Sequence, residues 1–156
     1  MFAAKGRPHD LAMPLVAADL VLAGQAGAFD ERSLRLARAF WPGPLSIVVP
    51  ADARLSRQAL GGRETVAVRV PAHPVARALA GAFGFPLTAT SANPSGMPPA
   101  ETADEVAALG LAIDALADSG RAPGGPPSTI VAFDRGVPVL VRAGAIAWDR
   151  VLRSLE

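Results

Sequence analysis

The sequence predicts an α/β or α+β domain, and three observations carry that prediction. Apolar residues recur with strand spacing in some segments and helix spacing in others, alternating along the chain without an internal repeat. Two Gly/Pro-rich stretches, Pro94 to Pro99 and Pro123 to Pro127, are too short for interdomain linkers and fit loops at strand ends. The chain has 156 residues, 51% hydrophobic and with no Cys, which suits a single domain over residues 1–156 that buries a core without disulfides.

The elements follow in order. Residues 31–40 have helical spacing, with Asp30 placed to cap the N-terminus. Trp41-Pro42-Gly43-Pro44 ends that helix, because proline cannot donate the next backbone hydrogen bond. Leu45 to Val49 is a short strand stopped by Pro50. Thr65 to Val70 gives the clearest strand: Val66, Val68 and Val70 share one face, Thr65, Ala67 and Arg69 the other. Pro74 to Phe83 is a helix, followed by a strand from Leu87 to Ser91. Thr102-Ala-Asp-Glu105 is a capping box opening a helix to about Leu109. Strands are expected near Ile113–Ala117, Ser128–Phe133 and Val137–Val141. A helix from about Ile146 to Leu155 closes the chain, its Arg150 and Arg153 suiting the negative end of the helix dipole.

Composition excludes several classes. Lys and Arg total 15 against 14 Asp and Glu, so the net charge of +1 argues against nucleic-acid binding by bulk charge while leaving local basic patches open. No run of 18 apolar residues reads as a membrane span, and the N-terminus lacks the apolar core of a secretory signal. The expected location is the cytoplasm. Without Cys there is no thiolate metal site and no cysteine nucleophile. Phosphate-loop, dinucleotide, nucleophile-elbow and zinc-helix motifs are all missing, and the two histidines, His9 and His73, lack ligand spacing. Asp114 and Asp118 lie four apart, as Mg²⁺ ligands or as a solvated edge. Tyrosine is absent altogether.

Several residues remain as candidates. In an extended Lys5-Gly6-Arg7 segment both cations project to one side and can clamp phosphate oxygens; the alternative is a solvated basic N-terminus. Thr65, Ala67 and Arg69 form a polar groove floored by a small residue, or the wet face of an antiparallel sheet. Thr88-Ala-Thr90-Ser91-Ala92-Asn93-Pro94-Ser95-Gly96 places hydroxyls and an amide where a strand passes into a Gly/Pro loop, as an anion-binding nest or as a structural Asx or ST turn. Ser128-Thr129 emerges from a Gly/Pro loop, to touch a substrate or simply to start a strand. Arg142 ends the last strand, reaching over strand ends or pairing with a surface carboxylate.

Taken in order, Lys5-x-Arg7-Pro8, Trp41-Pro-Gly-Pro-Leu45, Thr65-Val-Ala-Val-Arg69-Val-Pro71, Thr90-Ser91-Ala-Asn93-x-Ser-Gly96, Ser128-Thr-Ile-Val131 and Val141-Arg142-Ala-Gly144 resemble the YrdC-like family of L-threonylcarbamoyladenylate synthases. The resemblance implies a twisted, open mixed sheet with flanking helices, curving around a basic cavity. It also implies an enzyme that joins L-threonine, bicarbonate and ATP into threonylcarbamoyl-AMP with release of pyrophosphate, Mg²⁺ accompanying the ATP. A partner complex would then transfer the threonylcarbamoyl group to tRNA, which the chain meets indirectly or by direct contact. On this resemblance Lys5 and Arg7 hold the ATP phosphates and serve as the catalytic cations. Thr65, Ser91 and Arg142 join the ATP site, Asn93 shapes the loop beneath the phosphates, and Arg69 and Ser128 address threonine. The family carries a first strand and helix with a Pro-Thr-x-Thr-x-Tyr-Gly-Leu stretch before the Lys-x-Arg motif, and the chain is expected to be short by that segment. A contrasting expectation is a non-catalytic nucleotide- or RNA-binding module with the same fold.

Overall fold

The computed structural model describes residues 2–6, 8 and 10–156. In chain order the elements are α1 (Phe2–Lys5), β1 (Leu15–Val16), α2 (Leu20–Ala23), α3 (Glu31–Phe40), β2 (Leu45–Pro50), β3 (Thr65–Arg69), α4 (Pro74–Phe83), β4 (Leu87–Thr88), α5 (Ala103–Ala108), β5 (Thr129–Asp134), β6 (Val137–Arg142) and α6 (Trp148–Arg153). The strands make one mixed sheet in the order β4-β1-β3-β2-β5-β6. Its β1–β3 and β2–β5 pairs are parallel; β1–β4, β2–β3 and β5–β6 are antiparallel.

The alternation in β2 and β3 decides which face is core. Their register sets Ile47 opposite Val68 and Val49 opposite Val66, so four apolar side chains lie together on one face. There they join Leu36, Ala37 and Phe40 of α3, Val131 of β5, Ile146 just ahead of α6 and Val151 of α6 in one buried cluster. Burying each such Leu, Ile or Val contributes about 1.5–3 kcal/mol. The spacing of Leu36, Ala37 and Phe40 puts them on one stripe of α3, which is why that helix forms where it does.

Helix ends follow local chemistry. Asp30 caps α3 by accepting from the Ser33 backbone N–H at 2.8 Å. Pro74 opens α4, and Gly84 closes it in the left-handed conformation at φ 76°. Both helices span the residues that the sequence predicts. Trp41-Pro42-Gly43-Pro44 does more than stop α3. Gly43 donates its N–H to Val70 O at 2.9 Å and accepts from Arg69 Nε at 2.8 Å, while Pro44 O accepts from Thr129 N at 3.0 Å. The loop therefore ties the ends of β3 and β5 together beside β2.

Four expectations need correction. No strand covers Ile113–Ala117: residues 111–127 run without regular structure, and Ile113 and Leu116 are exposed because no strand edge is offered to them. The expected strand from Leu87 to Ser91 keeps only Leu87–Thr88, the two residues that pair with β1. The closing helix shortens to Trp148–Arg153. Lys5-Gly6 is not extended: Lys5 ends the single turn of α1, and Gly6 turns the chain at φ 59°. Arg7 and His9 lie outside the described residues. In the capping box, Thr102 accepts from Glu105 N as expected, but the Glu105 carboxylate takes the Glu101 N–H, at 2.7 Å.

Candidate functional site

The face of the sheet opposite the core lines an open cavity of about 240 Å³. Its floor is small and apolar: Val48 and Ala67 stand opposite each other in the register, with Ile130 beside Ser46 on β5. Thr65, Ser46 and Ser128 add hydroxyls, and Arg63 and Arg142 add charge. No carboxylate is among the described lining residues, so the cavity is electropositive. Arg142 reaches it because the β5–β6 register slips: Ile130 pairs with Arg142 but Val131 with Leu140. Val141 is the extra residue of a bulge, and both Val141 and Arg142 line the cavity.

One end of the cavity is organised around Ser128. The Arg142 guanidinium donates to Ser128 O from Nε (3.1 Å) and Nη2 (2.7 Å), and from Nη2 to Ser128 Oγ (3.1 Å). Ser128 Oγ also lies 3.1 Å from the Oγ of buried Ser46. Thr129, next in sequence, points the other way into the core. Its hydroxyl donates to Ile146 O at 2.8 Å and accepts from Ile146 N at 2.9 Å. The two hydroxyls of this pair thus have separate tasks, one in the cavity and one stapling the chain ahead of α6.

Arg69 shares its face of β3 with Thr65 and Ala67, but its Nε is spent on Gly43 O. Burial, and then the positive charge of Arg142, lowers its pKa from the ordinary arginine value. It stays a cation, as arginine does in proteins. Two guanidiniums that repel one another, held by backbone carbonyls instead of carboxylates, leave positive charge for an anion to neutralise.

A second polar cluster stands beside the cavity. The chain leaving β4 follows Pro14, a cavity residue, through the bond from Ala89 N to Pro14 O at 2.9 Å. Just beyond, the buried Lys5 ammonium donates to Ser91 O and, at 2.8 Å, to Asn93 Oδ1. Asn93 Oδ1 also accepts from Ser91 Oγ at 2.6 Å, and its Nδ2 donates to Met97 O. Lys5 O in turn accepts from Ser95 N at 2.9 Å. Lys5, Ser91 and Asn93 are therefore brought together as one unit that shapes the 91–97 turn.

The family model for Sua5, YciO and YrdC, described as "Telomere recombination", matches residues 1–144. The chain belongs to this Sua5/YciO/YrdC family. It is 38% identical over 155 residues to threonylcarbamoyl-AMP synthase of Bacillus subtilis, covering 97% of this chain and 44% of that protein. It is 46% identical over 118 residues to the Halorhodospira halophila protein of the same name, covering 74% and 62%. The crystal structure of Pyrococcus abyssi Sua5 complexed with L-threonine superposes with a TM-score of 0.90 at 35% identity, covering 98% of this chain and 46% of that one. The chain thus spans about half the length of the Bacillus and Pyrococcus relatives.

As a member of the Sua5/YciO/YrdC family the chain has the sheet that its motif order implies. Of the residues singled out from sequence, Thr65, Ser128 and Arg142 line the cavity, Arg69 adjoins Arg142, and Lys5, Ser91 and Asn93 form the neighbouring cluster. Two polar lining residues escaped the sequence reading. Ser46 left a trace, as the polar residue between Leu45 and Ile47 in an otherwise apolar strand. Arg63 left none, because it follows Gly61-Gly62 in a loop with no periodicity.

Proposed function

We propose that the chain carries ATP-dependent synthesis of threonylcarbamoyl-AMP from L-threonine and bicarbonate, with release of pyrophosphate, in the service of threonylcarbamoyladenosine formation in tRNA. The observation that carries this reading is the carboxylate-free cavity in which Ser128 and Arg142 are already hydrogen-bonded, beside the Lys5–Ser91–Asn93 unit. Its relatives named threonylcarbamoyl-AMP synthase, and a solved relative bound to L-threonine, support the same substrates.

In this reading Lys5, Arg7, Thr65, Ser91 and Arg142 hold the nucleotide, Asn93 fixes the turn under its phosphates, and Arg69 and Ser128 take the threonine end. The threonine amine condenses with bicarbonate to an N-carboxylate and water. A carboxylate oxygen then attacks the α-phosphorus, the bond to the β-phosphate oxygen breaks, and pyrophosphate leaves. Such a displacement needs alignment and charge neutralisation more than a protein nucleophile. Direct bonding between Ser128 and Arg142 supports a threonine end and a nucleotide end that lie within reach of one another. Among the described residues no cluster of three or more His, Cys, Asp or Glu is present. With no carboxylate in the cavity lining, Mg²⁺ fits this site as part of the MgATP substrate, bound to phosphate oxygens. Among the described residues no helix is long and apolar enough to cross a membrane.

The test is to supply the purified protein with L-threonine, bicarbonate, ATP and Mg²⁺ and follow pyrophosphate release together with the mass of the product. Threonine-dependent pyrophosphate and threonylcarbamoyl-AMP are expected. Binding of ATP without turnover would instead assign a nucleotide-binding module.

A further inference from the structure

Arg63 is a cavity residue without a task in the fold. Its backbone N–H bonds to Leu60 O at 3.2 Å, but its guanidinium has no ion-pair or hydrogen-bond partner among the described residues. That contrasts with Arg54, Arg69, Arg121 and Arg142, each held by a carboxylate or a carbonyl. All the donors of the Arg63 fork remain for a ligand.

The chain fixes the backbone that carries this guanidinium. Gly61, at φ 58°, packs so close to the 10–12 segment that a Cβ there would stand 2.5 Å from Asp10 O and 2.8 Å from Ala12 N. Met13 N bonds to Ala59 O at 2.8 Å, and Leu60 is buried in the core. The loop before β3 is thus fastened to the segment that continues from the Lys5 cluster. Arg63 stands at its end, next to Thr65 and three strands away from Arg142. Three strand spacings are about 14 Å across the sheet, and the register sets Arg142 level with Arg69, so Arg63 also lies about 20 Å further along the strand direction. An extended nucleotide, with an arginine side chain reaching toward it from each end, spans that separation.

Charge matching identifies the ligand class. One carboxylate, such as that of threonine, is answered by a single guanidinium, and the Arg69–Arg142 end already offers two. A third cation on the opposite wall, in a lining with no acid, matches a polyphosphate. We propose that Arg63 binds the terminal phosphates of the nucleoside triphosphate, selecting ATP over AMP. This deepens the reading of the cavity as an ATP site and rests on it.

The test compares wild type with Arg63→Gln, Arg63→Lys and Arg57→Gln by calorimetric titration with MgATP and with AMP. Arg57 lies on the same exposed loop but outside the cavity lining, so it controls for net charge. Expected is about a tenfold rise in the ATP Kd for Arg63→Gln, less than twofold for AMP, partial recovery with Arg63→Lys and no change with Arg57→Gln. Equal ATP affinity in wild type and Arg63→Gln, or equal losses for ATP and AMP, overturns the inference and leaves the ATP site standing. A wild type that binds no ATP overturns both.

Discussion

Ser128 and Thr129 are adjacent hydroxyls on opposite faces of β5, and they separate function from stability at single-residue resolution. Thr129→Val keeps the volume but leaves the Ile146 N–H and C=O without their buried partner, a loss of about 1–3 kcal/mol. Chemical denaturation should show this destabilisation while ATP affinity stays within twofold. Ser128→Ala should do the reverse. Its hydroxyl sits in the half-buried network with Ser46 and Arg142, where one hydrogen bond is worth about 1 kcal/mol, and the backbone carbonyl still holds Arg142. Threonine-dependent pyrophosphate formation should fall about fivefold, while the denaturation midpoint moves less than in Thr129→Val. If both variants lose stability alike, the division of labour between the two hydroxyls is wrong.

At the scale of elements, α3 is defined by its ends as much as by its stripe. Asp30 is held below its ordinary pKa by Ser33, through hydroxyl and backbone N–H, so its ionised form favours the folded state. That contribution is complete above the unfolded carboxylate value near 3.9 and is lost as pH falls through the lower folded value. Asp30→Ala should therefore cost about 1 kcal/mol at neutral pH. The gap between wild type and Asp30→Asn, which caps without a charge, should narrow as pH drops from 5 to 3. Thermal melts across that range measure both. The same locality explains why α3 and α4 were legible in the sequence: Asp30, Pro42, Pro74 and Gly84 mark their ends within the chain itself. β1 was not legible, because two residues, Leu15 and Val16, show no period and become a strand only between β3 and β4. The alternation at 113–117 misled for the converse reason, a strand pattern with no neighbour to pair with. In the site, the hydroxyls and arginines were legible as residue types. Diversion of Arg69 onto Gly43, and the bulge that brings Arg142 into the cavity, depend on contacts between distant strands.

For the whole molecule, the sheet has a protected centre and a spare rim. β2 and β3 lie in the middle and carry Ile47, Val49, Val66 and Val68 into the core. At the rim, β6 shows Val137, Val139 and Val141 to solvent, and Pro138, which lacks an N–H, interrupts its row of donors. Amide exchange should follow this layout, slowest at the β2–β3 pairs and fastest along residues 111–127. Slow exchange across 111–127 would contradict the irregular course described for that segment.

The parallel pairing of β2 with β5 also sets an order in time. Ser46 and Ser128 touch although 82 positions separate them, and Arg142 comes later still. During synthesis the core face of β2 and β3 can close through their antiparallel pair long before β5 exists, since nearer contacts cost less chain entropy to close. A nascent chain stopped before residue 128 would own a hydrophobic core and the Lys5–Asn93 unit, yet have only one wall of the cavity. Closure of the anion pocket waits for residues 128–142.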